Sequence, residues 1–245
     1  MAPLLDYRAR IYDHYVHARH TSLAPATLAA LDANRPYLAR VIREHFPPAR
    51  DARVLDLGCG HGTLVYFARQ AGYRNVAGVD RSPEQVAEAN RLGIDGVREG
   101  DLMETLATLS DASQDIVIAF DVIEHFTRSE LLPFVDQVHR VLAPGGKWII
   151  HTPNAESPFF GRIRYGDFTH EQAYTSTSIG QLMLSSGFRE VHCFEDAPVV
   201  HGVKSAVRYA IWRAIRGTLR VYLAAETGSP GSGILSQNFL TVAVK

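Results

Sequence analysis

Two groups of residues in this chain are spaced for chemistry. Asp121, Glu124 and His125 stand in a D-x-x-E-H pattern, and His170 follows in Tyr165-Gly166-Asp167-Phe168-Thr169-His170-Glu171. Carboxylates and imidazoles so placed can take a proton from a hydroxyl or hold a metal ion. The second group is Val54-Leu55-Asp56-Leu57-Gly58-Cys59-Gly60-His61-Gly62, where an apolar run stops in glycines at every second position. Glycines there let the backbone turn with positive φ and let a ligand approach main-chain N–H groups. The spacing is G-x-G-x-G rather than the G-x-G-x-x-G of dinucleotide turns, and Asp56 leads it. An aspartate in that turn repels a pyrophosphate and suits a cationic amino-acid ligand. Asp80, 18 residues beyond Gly62, can accept both ribose hydroxyls of such a ligand, and Asp101 can accept from an adenine amino group with Leu102 against the ring.

Positioning these residues requires an alternation of strands and helices. From residue 53 the pattern alternates strand and helix signals, which predicts βαβ units and a parallel sheet. Strands are expected at 53–57, 75–79, 96–99, 115–120, 147–151, 189–194 and 239–244. Helices are expected at 83–91 with Ser82 as N-cap, at 131–142 and at 176–186, with a loop over 153–173 and a turn at Pro144-Gly145-Gly146. Residues 1–50 read as helical, with Tyr7, Ile11 and Tyr15 on one face and an interruption at Pro36. His14, His17 and His20 fall in the same region; no carboxylate completes a metal site there, so they read as an exposed helix face.

The chain resembles the class I S-adenosylmethionine-dependent methyltransferases over roughly residues 50 to 195. The likeness is carried by Asp56-Leu57-Gly58-Cys59-Gly60-His61-Gly62, Gly78-Val79-Asp80, Gly100-Asp101, Phe120-Asp121-Val122-Ile123-Glu124-His125 and Leu142-Ala143-Pro144-Gly145-Gly146, in order. It implies an α/β, Rossmann-like fold: a seven-stranded, mostly parallel sheet with an antiparallel last strand and helices on both faces. To this the chain adds a helical N-terminal lid over 1–50 and, within the methyltransferase domain of 51–245, a helical insertion at about 197–235. The implied cofactor is S-adenosylmethionine, held by Asp56, Gly58, Cys59, Gly60, Asp80, Arg81, Asp101, Leu102, Phe120 and Asp121. Asp121-x-x-Glu124-His125 also looks like the ubiquinone-biosynthesis O-methyltransferases, in which two carboxylates and a histidine hold magnesium. A metal-free reading is favoured, with His125 kept as a base.

His170 is the leading candidate base or substrate contact, because loops at the carboxyl ends of parallel strands bind ligands. Tyr12, Tyr15, Phe159, Phe160 and Tyr165 are candidate walls of an acceptor pocket. The segments around Pro153 to Glu171, Ala225 to Gly228 and Ser236 to Leu240 resemble bacterial methyltransferases of surface-glycan and sugar-modifying pathways. The expectation is therefore methyl transfer to a hydroxyl of a small molecule, a sugar or glycan-linked acceptor. Metal-assisted methylation of a phenolic or quinone-like lipid at a membrane surface is the alternative, and a non-catalytic cofactor-binding scaffold is the alternative from another class.

Composition narrows the partners. A formal net charge of −1 and the lack of an Asn-Pro-Pro-Tyr type motif disfavour nucleic acid. Only Cys59 and Cys193 are present, which excludes a disulfide scaffold and suits a reducing compartment. The first residues lack a basic stretch followed by an apolar run, so a cytoplasmic placement is expected. Between Asp196 and Glu226 there is no acidic residue, while Lys204, Arg208, Arg213, Arg216 and Arg220 supply positive charge. Val207, Ile211, Trp212, Ile215, Leu219, Tyr222 and Leu223 are assigned to one helical face. That face is expected to pack on the domain or on a twin subunit, with peripheral membrane contact through 203–224 as the other reading.

Overall fold

A computed structural model describes residues 7–12, 24–231 and 233–245. Tyr15, His14, His17 and His20 lie outside the described residues, as does the side chain of Tyr12. The centre is one sheet of seven strands: β1 (Arg53–Leu57), β2 (Asn75–Asp80), β3 (Val97–Glu99), β4 (Gln114–Phe120), β5 (Leu142–Pro153), β6 (Glu190–Glu195) and β7 (Asn238–Val244). Their order is β3-β2-β1-β4-β5-β7-β6, with β7 antiparallel to both its neighbours and all other pairs parallel. The central strands read as apolar runs because both faces are covered; Ile116 to Ala119 of β4 are wholly buried. One layer of core gathers Phe134, Trp148, Phe188 and Phe239, and the other gathers Leu31, Ile42, Phe67, Ile118 and Ile149.

Nine helices cover the sheet among the described residues: α1 (Tyr7–Tyr12), α2 (Arg35–His45), α3 (Thr63–Gln70), α4 (Pro83–Leu92), α5 (Leu102–Thr108), α6 (Arg128–Val141), α7 (Phe160–Arg164), α8 (Ser176–Ser185) and α9 (Val203–Thr227), with 3₁₀ turns at Leu28–Ala33 and Ile123–His125. The expected interruption at Pro36 falls where the 3₁₀ turn of Leu28–Ala33 ends and α2 begins afresh at Arg35, with Pro36 in the new helix. Pro36 sits in the first turn of α2, where a missing N–H costs nothing. The expected helix at 131–142 begins three residues earlier, because Thr127 and Glu130 form a capping box and the helix absorbs Pro133 in its first turns. Strand β5 runs through the expected turn at 144–146, and the loop after it contains the short α7.

Two tethers bring the N-terminal region onto the strand ends. Arg8 of α1 forms a two-pronged ion pair with Glu130 at 2.6 and 2.7 Å and donates to the His125 carbonyl at 3.2 Å. That guanidinium pulls the Glu130 carboxyl down to about 2. Tyr37 of α2 packs against Phe120 and His151, with ring centroids at 6.4 and 6.1 Å.

The insertion is dominated by α9. Arg216 ties it down: the guanidinium pairs with Glu195 at the end of β6 and donates to the Gly233 carbonyl at 2.6 Å. The apolar residues assigned to a single face divide between two. Trp212, Leu219 and Leu223 are half-buried, whereas Val207, Ile211, Ile215 and Tyr222 are exposed. A seven-residue apolar set spread over five turns is too wide for one packed seam, so only its inner members reach the domain.

Candidate active site

The glycine turn links β1 to α3, and its three glycines all adopt left-handed backbone: Gly58 (φ 71°), Gly60 (φ 55°) and Gly62 (φ 79°). Gly58 is required twice over, since a Cβ there would also sit 2.5 Å from Val122 Cγ2. Around Gly60 the space is open, with nothing nearer its Cβ position than Gln85 Oε1 at 3.7 Å. The Gly60 N–H donates to Asp80 Oδ2 at 2.7 Å, and the Ser82 N–H donates to Asp80 Oδ1 at 2.9 Å, so the end of β2 is locked to the turn. Asp56 is 3% exposed. Burial, with the charge of Asp80 second, pushes its carboxyl up to about 8. Burial also raises the Cys59 thiol, which makes Cys59 a packing residue of the turn and not a nucleophile. Asp80 is partly buried, and its carboxyl is raised by burial against the hydrogen bonds from Ser82 and Gly60; a ligand with a positive charge and ribose hydroxyls fits two such neighbouring carboxylates.

The remaining residues assigned to this ligand follow the ends of the next strands. Asp101 is the N-cap of α5, its Oδ1 accepting from the Met103 and Glu104 N–H groups at 2.8 and 3.1 Å. That use occupies one carboxylate oxygen. Leu102 is half-buried against the core, and Arg81 is exposed beside Asp80. Phe120 ends β4 and stacks obliquely on His151, with centroids 5.3 Å apart.

Asp121 follows with φ 54°, a left-handed conformation that a non-glycine residue adopts at a cost. The side chain is 55% exposed, yet Oδ1 accepts from His151 Nδ1 at 2.9 Å. His151 is buried, and burial alone would lower it. The carboxylates of Asp121 and of Asp196, the latter at 3.5 Å, overcome that and raise His151 to about 10. Asp121 is in turn held below the ordinary carboxylate range by the charge of His151 and the hydrogen bond between them. His151 therefore carries a charge and clamps the turn after β4 to Asp196, the residue that follows β6. Nothing in the sequence singles it out, because it reads as the last residue of a strand.

The histidines assigned to catalysis meet. His125 and His170 have ring centroids 4.8 Å apart. His125 Nδ1 is 2.9 Å from Thr169 Oγ1, and that hydroxyl donates to Asp167 Oδ1 at 2.6 Å. The hydroxyl proton being spent on Asp167, His125 must be the donor at Nδ1, which leaves Nε2 as its basic nitrogen. His170 Nδ1 donates to the Ile163 carbonyl at 3.1 Å, which fixes the same tautomer. Burial lowers both imidazoles, His125 to about 4, with the nearby His170 as the second cause. Asp167 and Thr169 are the residues that sequence reasoning passed over; they stand in the stretch that carries His170, but no chemistry marks them until His125 is brought against them.

The residues close enough together to hold a metal ion are a different set from the one the motif implies. Among the described residues, Glu124, His125 and His170 each offer a ligand atom within 4.8 Å of the others. Asp121 is not in that set, and its Oδ1 serves His151. Glu124 is fully buried, Oε2 accepts from Thr152 Oγ1 at 3.1 Å, and Oε1 has no hydrogen-bond partner. Burial, followed by the charge of Asp121, raises its carboxyl well above the usual range. One carboxylate and two imidazoles suit a transition ion; magnesium prefers oxygen ligands throughout, so these residues do not fit it.

Phe159 and Tyr165 are 66% and 78% exposed, and Phe168 is more exposed still. All three stand between β5 and α8, on the loop that bears His170. Tyr7 of α1 packs edge-on against Phe168 at 5.9 Å, and its hydroxyl donates to Glu171. Phe159, Tyr165 and Phe168 thus stand exposed on the loop rather than forming buried walls. Phe160 opens α7 and is half-buried.

Comparison with known proteins shows the family. Residues 30–193 match a family model described as a methyltransferase domain. The chain is 33% identical over 136 residues to a probable S-adenosylmethionine-dependent methyltransferase of Mycolicibacterium smegmatis, covering 55% of this chain and 51% of that protein. It is 30% identical over 154 residues to norajmaline N-methyltransferase of Rauvolfia serpentina (54% and 52% covered). It is also 30% identical over 129 residues to the mitochondrial ubiquinone biosynthesis O-methyltransferase of Mus musculus (49% and 34%). The chain thus spans about half the length, or less, of these curated relatives. In structure it is similar to a methyltransferase of Archaeoglobus fulgidus, with a TM-score of 0.65 and 21% identity, covering 89% of this chain and all of the other. Glycine turn, paired carboxylates, strand order and family match converge: the chain belongs to the class I S-adenosylmethionine-dependent methyltransferases.

Proposed function

We propose that the chain transfers a methyl group to a hydroxyl of a small molecule, with a sugar or glycan-linked compound as acceptor. The observation that carries this reading is the neutral histidine pair, His125 and His170, with both Nδ1 atoms engaged. Bound S-adenosylmethionine supplies an electrophilic methyl group. What the protein adds is alignment, exclusion of water and a place for the acceptor's proton. An amine can lose its proton after reaction; a hydroxyl gains most from a base already in place. His170 is that base. Burial lowers it, with the Asp167 charge opposing, its Nδ1–H is held by the Ile163 carbonyl, and Nε2 receives the proton. His125, fixed through Thr169 and Asp167, packs against the His170 ring and holds its plane.

Exposed aromatic rings on the loop that bears His170 support the acceptor class. Phe159, Tyr165 and Phe168 offer flat apolar faces beside polar loop groups, the combination that binds a sugar ring by its C–H face while its hydroxyls stay hydrated. No step in this chemistry runs through a metal ion. The test is a panel of hydroxyl-bearing sugars, phenols and amines with methyl-labelled donor, followed by locating the label in the product. A label on a sugar oxygen is expected. A label found only on nitrogen, with no hydroxyl acceptor in the panel turning over, overturns the reading.

A further inference from the structure

Helix α9 turns a narrow inner side to the domain and leaves a broad apolar face bare. Ser205 and Arg216 are buried and Trp212, Leu219 and Leu223 half-buried, all toward one side at 100° per residue. The opposite side carries Val203, Val207, Ile211, Ala214 and Val221. Val203 is 82% exposed, Val221 70% and Ile211 56%. This inverts the usual surface helix, whose polar residues stand opposite the core. Lys204 and Arg208 border the apolar stripe along one edge and Arg213 stands on the other, while the Arg220 guanidinium lies over Gly233 and faces the domain. No carboxylate lies on the helix before Glu226.

We propose that this face docks on an anionic lipid bilayer, with the stripe at the boundary of headgroups and acyl chains and the flanking cations against lipid phosphates. Charge decides the occupant. A second copy laid stripe on stripe would bring basic edges together with no acidic group to offset them. The contact is peripheral: among the described residues no helix is long and apolar enough to cross a membrane. Because β5 and β6 both run antiparallel to β7, the end of β6 that leads into α9 lies at the same edge of the sheet as the end of β5. The docking face and the loop carrying His170 therefore leave the sheet on the same side. The inference rests on α9 alone and does not depend on which acceptor is methylated.

Co-sedimentation tests it, using vesicles of mixed phosphatidylglycerol and phosphatidylcholine beside vesicles of pure phosphatidylcholine. The protein should pellet with the mixed vesicles, less so as salt is raised, and stay largely in solution with the neutral ones. Ile211→Ser together with Ile215→Ser should weaken binding roughly tenfold or more, through loss of buried apolar area. Arg208→Gln together with Arg213→Gln leaves the stripe intact and should weaken binding to the anionic vesicles severalfold. Melting curves that match the wild type show that these variants fold, and either pair suffices. No pelleting of the wild type with anionic vesicles overturns the proposal, as does pelleting unchanged in both pairs. A dimer in solution that the isoleucine pair disperses, without vesicle binding, assigns the face to a second copy instead.

Discussion

His125 and His170, from the turn after β4 and the loop before α8, meet with ring centroids 4.8 Å apart, and each has its Nδ1 tied to a protein oxygen. Burial favours the neutral form of both. Only a neutral His170 can accept a proton, so kcat should rise with pH along an acid limb whose apparent pKa lies below the ordinary histidine value of about 6.5, then level off before pH 7. The fold should follow the same sign. Since the unfolded chain binds protons that the buried imidazoles refuse, stability is present above about 6.5 and is lost as pH falls toward about 4. An acid limb centred above pH 7 would argue that some other group titrates.

Thr169 is the link between Asp167 and His125. Thr169→Val keeps the shape and removes the hydroxyl, leaving Asp167 and His125 short of a partner. The loss should cost about 1–3 kcal/mol of stability and lower kcat by about tenfold, with the affinity for S-adenosylhomocysteine unchanged. Calorimetric binding alongside steady-state kinetics separates the two effects. Equal losses in binding and turnover would mean that Thr169 supports the whole pocket and not His125 in particular.

Asp56 makes cofactor binding depend on pH. Its carboxyl is raised to about 8 with no ligand present, so near pH 7 it holds a proton that a cationic ligand would displace. S-adenosylhomocysteine, which carries an ammonium group, should bind more tightly as pH rises from 6 to 8 and should release protons on binding, measurable as a buffer-dependent heat. Asp56→Asn should abolish the release. Proton release that persists undiminished in this variant would place the linked group elsewhere.

Gly58→Ala joins left-handed backbone to a clash with Val122. The strain should cost about 1–3 kcal/mol and distort the turn, lowering the melting temperature and weakening S-adenosylhomocysteine binding. Wild-type melting and binding in the variant would show that the turn tolerates a side chain.

The sheet was legible because buried parallel strands leave apolar runs that end in glycine or aspartate, as at Leu57-Gly58 and Val79-Asp80, and such signals are local. The residues assigned to the donor share that local signal, since each stands at or near a strand end or in the turn after one. The acceptor side was only half legible. His170 and His125 could each be picked out by type, but their pairing and the Asp167–Thr169 tether depend on a contact between distant segments. His151 was hidden by its place in a strand, and Asp121 was grouped with Glu124 by spacing when its oxygen in fact serves His151. On α9 the apolar positions were visible, and their division between an inner and an outer face was not. That division follows from where Arg216 meets Glu195, a tertiary contact.

The most direct test of the account is turnover by His170→Gln with a hydroxyl acceptor at saturation, measured as release of S-adenosylhomocysteine. Glutamine preserves size and polarity but cannot take a proton, so kcat should fall by about 10²–10⁴, while the affinity for S-adenosylhomocysteine and the melting temperature stay at wild-type values. Unchanged kcat would contradict the assignment of His170 as the base.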